Sequence, residues 1–157
     1  MKDRNYCYDF PRPALTVDIA VFRRVGERTE ILLVRRMKDP FAGRFALPGG
    51  FVDDMEPLEH AARRELSEET GLVVETVDQL RAYGEPGRDP RGHTVSVAHV
   101  AVTDDSQTVS GNDDASEARW FPIEELPDLA FDHDRIARDA IAWLRRRDGS
   151  SEGEEHC

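Results

Sequence analysis

Between residues 49 and 72 the chain gathers seven carboxylates, Asp53, Asp54, Glu56, Glu59, Glu65, Glu68 and Glu69, against two cations, Arg63 and Arg64. Pro57, the good helix formers after it and Gly71 predict a helix over 57–70, because proline suits a first helical turn and glycine a C-terminal stop. On a wheel of about 100° per residue with Leu58 at zero, Ala62 falls near 40° and Leu66 near 80°, which marks the buried stripe. Glu65 at roughly −20° and Glu69 at roughly 20° share that arc, Glu68 flanks it at about −80°, and Glu59, His60, Arg63 and Ser67 occupy the far side.

Carboxylates turned toward a core are strongly unfavourable unless raised pKa values or a cation neutralise them. The nearby cation on this helix is Arg64, at roughly −120°, and one guanidinium cannot balance three acids. A divalent metal can. Oxygen donors without cysteine or clustered histidine favour a hard ion, Mg²⁺ or Mn²⁺. The alternative is a solvated, charged helix face.

The elements that must hold this helix read as follows. Residues 16–22 and 31–34 are β-rich runs joined by a hairpin turn over 26–29. Residues 45–52 form short extended pieces broken at Pro48, Gly49 and Gly50. Residues 72–77 and 94–102 return to strand composition on either side of a loop at 84–92 punctuated by Pro86, Gly87, Pro90 and Gly92. Residues 118–121 form a short strand ended by Pro122, and 134–147 an amphipathic helix with Ile136, Ala140, Trp143 and Leu144 on one stripe. Strands outnumber helices and helices interrupt them, so the class is α/β or α+β with a mixed sheet between helical layers. One compact unit spans residues 10–147, with an N-terminal segment at 1–9 and a flexible tail at 148–157.

The whole chain is acidic. Its 157 residues carry 21 Lys plus Arg against 32 Asp plus Glu, a formal net charge of −11, which argues against holding nucleic acid by its phosphates. The longest apolar runs, 31–34 and 94–102, fall short of the roughly 20 residues a membrane span needs. No secretory signal pattern opens the chain, so the expected compartment is the cytoplasm. Cys7 and Cys157 stand in no metal-ligand pair, and a disulfide is not expected. His60, His93, His99, His133 and His156 show no metal spacing, and His133, between Asp132 and Asp134, reads as a helix start.

Gly50, Glu56, Arg64-Glu65-Leu66, Glu68-Glu69 and Gly71-Leu72 stand at nine fixed positions across 23 residues, and in this spacing the chain resembles the Nudix hydrolases. Leu47-Pro48-Gly49-Gly50 and Trp120-Phe121-Pro122 extend the resemblance to most of the chain. It implies a Nudix-type α/β/α sandwich over 10–147 and metal-dependent hydrolysis of a nucleoside diphosphate linked to another group. By that resemblance Glu65 and Glu69 are the principal metal ligands, with Glu68 a further ligand or a water-positioning group, and the Gly49 carbonyl completes the site. Arg64 orients the glutamates, Gly50 and Gly71 serve the backbone, and Glu56 supports the loop–helix junction. A general base often comes from elsewhere in this family. The acidic loop holding Asp104, Asp105, Asp113, Asp114 and Glu117 is the expected source, with Asp114 the first choice and Asp113 the second.

Pro86 lies fifteen residues beyond Gly71, which resembles the ADP-ribose pyrophosphatase group within that family. The small-molecule substrate then expected is ADP-ribose, cleaved to AMP and ribose 5-phosphate. Arg44, Arg88 and Arg91 are the candidate contacts to its diphosphate or terminal ribose. Tyr8 and Phe10 are candidates to stack on adenine or to pack at the core edge. Two alternatives stay open: removal of oxidised nucleoside triphosphates with release of pyrophosphate, and a non-catalytic ADP-ribose sensor. Homodimers are common among similar enzymes, and the sequence itself specifies neither a homodimer nor a monomer.

Overall fold

The structure, a computed structural model, describes residues 6–104, 107–111 and 114–151. Asp105 and Asp113 of the acidic loop lie outside the described residues, as do residues 1–5 and 152–157. Two long strands open the fold, β1 (Ala14–Val25) and β2 (Arg28–Arg36), rich in the β-branched and aromatic residues that suit a pleated surface. Their register runs from Phe22↔Ile31 to Val25↔Arg28, so the turn is the two residues Gly26 and Glu27, with Gly26 at φ 62°. Beyond that hairpin the two strands take different partners. β1 pairs with β4 (Gly49–Phe51) and β2 with β3 (Phe45–Ala46). A cleft sits in the region where they part.

The helix α1 (Leu58–Thr70) follows, closed by Gly71 in the left-handed conformation at φ 73°. Next come β5 (Asp78–Tyr83), β6 (Thr94–Thr103), β7 (Ala115–Pro122) and α2 (His133–Ser151). The sheet order is β3-β2-β1-β6-β5, with β4 on β1 and β7 on β2. β1 and β6 run parallel from Ala14↔Thr94 to Arg23↔Thr103, a pairing that requires the long crossover containing α1. Alternate residues of β1 feed two cores. Val17, Ile19 and Val21 meet Ala61, Ala62 and Leu66 of α1, while Ala20 and Phe22 share the other core with Ile136, Ala140 and Leu144 of α2. The expected three-layer arrangement with a mixed sheet is therefore present.

Three elements differ from expectation. The strand expected at 72–77 is irregular chain, and the edge strand lies after it at β5. Leu72 and Val74 do alternate inward, but the Val73 amide and carbonyl bond the Gln107 side chain at 3.1 and 2.9 Å, so an amide side chain meets the demand a neighbouring strand would fill. β7 begins before residue 118, pairs along β2 and keeps Pro122 as its last position, where the missing donor costs least. The last helix continues through Gly149 to Ser151, past the boundary expected at 147. Among the described residues no helix is long and apolar enough to cross a membrane.

Candidate active site

The acid-rich segment folds onto β4. Asp18 of β1 pairs with Gly49, and the Gly49 N–H donates to Glu69 Oε2 at 3.0 Å. A Cβ on Gly50 would lie 2.5 Å from the Glu65 carboxyl carbon, and one on Gly49 2.2 Å from the Val17 carbonyl. Both glycines therefore leave room for close approach rather than for an unusual backbone angle.

Arg64 ties the same segment together. Its Nε and Nη2 donate to the two oxygens of Glu56 at 2.7 and 2.9 Å, and Nη1 to Glu65 at 2.7 Å and Glu68 at 3.1 Å. Nη2 also reaches the Phe51 carbonyl at 3.1 Å. Glu56 is buried to 6% side-chain exposure, accepts the Asp53 N–H as well, and its hydrogen bonds from Arg64 hold its pKa at about 2. Glu56 closes the turn before α1 and anchors Arg64; the helix N-cap is Pro57, with no side-chain cap.

Glu69 is the electrostatic outlier. Burial pushes its pKa up to about 8, with the charges of Glu65 and Asp18 adding to the rise against the Gly49 N–H and Arg36. Burial raises Glu65 as well, although Arg64 pulls it back. Glu68 is about half exposed, at 46% for its side chain. The two inward glutamates of the wheel are thus the two raised by desolvation. In the arrangement described, Glu65 and Glu68 bond Arg64 and Glu69 bonds Gly49, and among the described residues no group of three acidic, histidine or cysteine side chains converges at metal-binding distance. The donor chemistry fits a hard cation all the same: buried carboxylate oxygens carrying more negative charge than Arg64 cancels.

The facing wall comes from distant parts of the chain. Asp18 is 7% exposed, accepts the Ser96 hydroxyl, and faces His133 Nε2 at 3.4 Å. His133 Nδ1 accepts the Leu47 N–H at 3.0 Å, which places the ring proton on Nε2, toward Asp18. Burial lowers the His133 pKa, so the ring is neutral and braces the strand segment that carries Gly49. Arg88 is bidentate to Asp132 at 2.9 and 2.6 Å, and Arg91 binds Asp89 at 2.7 Å. Asp114 stands on the lip, 67% exposed, paired with Lys38 at 2.6 Å.

The cleft therefore brings together Gly49, Gly50, Glu69, Arg88, Arg91 and Asp114. Arg44 is elsewhere: it is exposed on the loop between β2 and β3, with its guanidinium over Phe41, and does not line the cleft. Tyr8 and Phe10 are also exposed away from it, with Arg12 over the Tyr8 ring at 3.8 Å. Sequence reasoning missed Asp18, Arg36, Phe131 and His133. Asp18 carried a signal, a lone carboxylate inside the apolar run 17–22, and His133 carried one in its flanking aspartates. Arg36 and Phe131 depend on tertiary contacts alone.

Fold and site define an α/β/α enzyme whose cleft is lined by the desolvated Glu69 and by the guanidiniums of Arg36, Arg88 and Arg91. The NUDIX domain model matches residues 12–144, and the chain belongs to the Nudix family. It is 43% identical over 125 residues to an ADP-ribose pyrophosphatase of Methanocaldococcus jannaschii, covering 80% of this chain and 73% of that protein. It is 34% identical to an ADPR-responsive transcriptional repressor of Acinetobacter baylyi, covering 88% of this chain but only 57% of the repressor's length. Among solved structures, the NUDIX domain of Shewanella oneidensis NrtR complexed with ADP ribose superposes with a TM-score of 0.80 at 35% identity, covering 89% of this chain and 94% of that one. The chain is a pyrophosphohydrolase of this family, whose members generally use divalent metal ions.

Proposed function

We propose that the protein hydrolyses ADP-ribose to AMP and ribose 5-phosphate, using Mg²⁺ or Mn²⁺. The observation that carries this reading is the 43% identity to an ADP-ribose pyrophosphatase in a chain that keeps a desolvated glutamate, Glu69, in its cleft. A divalent cation bound there supplies charge neutralisation for the diphosphate and lowers the pKa of water. Glu65 and Glu69 are the residues that hold it, with Glu68 beside them and the Gly49 carbonyl completing the donor set. Arg64 fixes the glutamate rotamers from behind, as partners of metal ligands commonly do. Asp114, an exposed residue lining the cleft, is the proton acceptor, released from Lys38 when the phosphate arrives. The working compartment is the cytoplasm and the working assembly a homodimer. Nucleic acid is not a partner, in keeping with the net charge of −11.

The likeness to a transcriptional repressor favours one other reading, an ADP-ribose sensor that binds without turnover. Product analysis separates them. ADP-ribose, dinucleotides, NADH and oxidised nucleoside triphosphates are each incubated with Mg²⁺: AMP from ADP-ribose supports the proposal, ADP-ribose binding without products supports the sensor, and pyrophosphate released selectively from a triphosphate replaces both.

A further inference from the structure

Four cations line the cleft: Arg36, Lys38, Arg88 and Arg91. Three of them are bonded to carboxylates, Lys38 to Asp114 at 2.6 Å, Arg88 to Asp132 at 2.6 Å and Arg91 to Asp89 at 2.7 Å. Arg36 differs. Among the described residues it bonds only main-chain carbonyls, its Nε donating to Pro40 at 2.8 Å and its Nη2 to Lys38 at 3.4 Å. Carbonyls orient a guanidinium without cancelling its charge, and a fork of five donors has most of them still to place.

The surrounding structure aims and stiffens that fork. Strand alternation sends Arg35 to the opposite face, over the Phe45 ring and bonded to Glu117, while Arg36 turns to the cleft with Val34. A register irregularity falls between Arg35 and Arg36, the kind of local bend that re-aims a side chain. The Arg36 main chain is pinned on both sides, its N–H to Arg44 at 2.9 Å and its carbonyl to the Gly43 N–H at 2.8 Å. Its guanidinium lies 4.9 Å from the Phe131 ring centroid, and Arg91 lies 5.4 Å from the same ring. Phe131 has φ 52°, a conformation that costs energy in a non-glycine residue and is kept where a ring must be held in place. Burial and the neighbouring charge of Arg91 lower the Arg36 pKa by more than the charges of Glu69, Asp89 and Asp114 raise it.

We infer that Arg36 is the diphosphate-binding residue of the cleft, gripping one phosphate of the substrate through its unoccupied donors, while Arg88 and Arg91 hold the wall in place through their aspartates. This rests on the reading that the substrate is a nucleoside diphosphate derivative, and it moves the anion contact from the three arginines expected from sequence to one that was not.

The test titrates ADP into the wild-type chain, Arg36→Gln and Arg36→Lys in the presence of Mg²⁺, and measures KM and kcat for ADP-ribose beside it. Arg36→Gln weakens ADP about tenfold, the loss of one charge-assisted contact, and raises KM by a similar factor while kcat changes less. Arg36→Lys keeps the charge without the fork and falls between. An ADP Kd within about twofold of wild type in Arg36→Gln overturns the proposal. So does a failure of ADP to bind the wild-type chain, or a loss matched in both variants by a fall in melting temperature. Should Arg36→Gln not fold, Arg36→Lys decides alone: severalfold weaker ADP binding supports the role and unchanged binding removes it. If ADP-ribose proves not to be a substrate, the proposed reaction fails while the ADP titration still judges Arg36.

Discussion

One wall of the cleft rests on Glu56, Arg64, Glu65, Glu68 and Glu69 of residues 56–69, of which Glu69 lines the cleft itself, whereas the other takes Asp18, Arg36, Arg88 and His133 from β1, β2, a loop and the start of α2. On the first wall one short segment supplies both the acids and the arginine that restrains them, so most of its electrostatics is local. On the second wall Asp18 and Arg88 meet partners far away in sequence, Asp18 with Ser96 and His133 and Arg88 with Asp132, while Arg36 among the described residues bonds only nearby main-chain carbonyls. The lesson is that a local wall can be tuned by spacing alone. A wall assembled from distant strands must be secured pair by pair, and the group left without a carboxylate partner is the one available to a ligand.

Substitutions at four positions probe that contrast in decreasing order of effect. Glu69→Gln removes the most desolvated acid and loses nearly all activity, on the order of a thousandfold or more, because the cation site loses a charged donor. It folds, and in metal-free buffer above pH 8 it melts no lower than wild type, since a neutral amide avoids the cost of a buried charge. Retained turnover at saturating Mg²⁺ sinks that assignment. Arg64→Leu strands Glu56 in a buried site and destabilises by roughly 3 kcal/mol, read as a lower denaturation midpoint.

The acid limb of stability adds a second readout for Arg64. Glu56 has its folded pKa depressed from 4.5 to about 2, so it contributes stability that is present above 4.5 and lost as pH falls through 2. Arg64→Leu flattens that acid-side slope; an unchanged slope means the pair is not what holds Glu56 down.

On the facing wall the effects shrink. His133→Leu leaves the buried Leu47 N–H without its acceptor and costs roughly 1 to 3 kcal/mol. His133→Asn, which keeps an acceptor near Nδ1, recovers part of both stability and kcat. If both variants melt alike, the Leu47 bond is not what His133 contributes. Smallest of all is Arg44→Gln, which shifts KM by no more than about twofold and by less than Arg36→Gln, as suits a side chain off the cleft.

This contrast also explains what was legible in the sequence. Glu65 and Glu69 could be turned inward from helical periodicity because α1 imposes it, and both emerged as the acids raised by burial. The layering followed from the alternation of Val17 to Phe22 and from the stripe of Ile136, Ala140 and Leu144. Residues 72–77 misled because β-branched composition describes burial as well as pairing, and Gln107 satisfied Val73 where a strand was expected. Arg44, Arg88 and Arg91 were chosen because a guanidinium suits phosphate oxygens, and residue type does not reveal that Arg88 and Arg91 already have carboxylates. Arg36 gave no signal because its isolation depends on Asp89, Asp114 and Asp132 having been claimed by other cations.

Calorimetric titration of Mg²⁺ and Mn²⁺ into the metal-free chain across pH, in buffers of different ionisation enthalpy, decides whether the desolvated glutamates form a cation site. Glu69 has a folded pKa near 8 and is mostly protonated at pH 6.5, so binding there releases about one proton per cation, and the release falls toward zero by about pH 9 as the affinity rises. In Glu69→Gln both the binding and the proton release collapse. Absence of saturable binding, or a cation bound equally well with no proton released at any pH, contradicts the account.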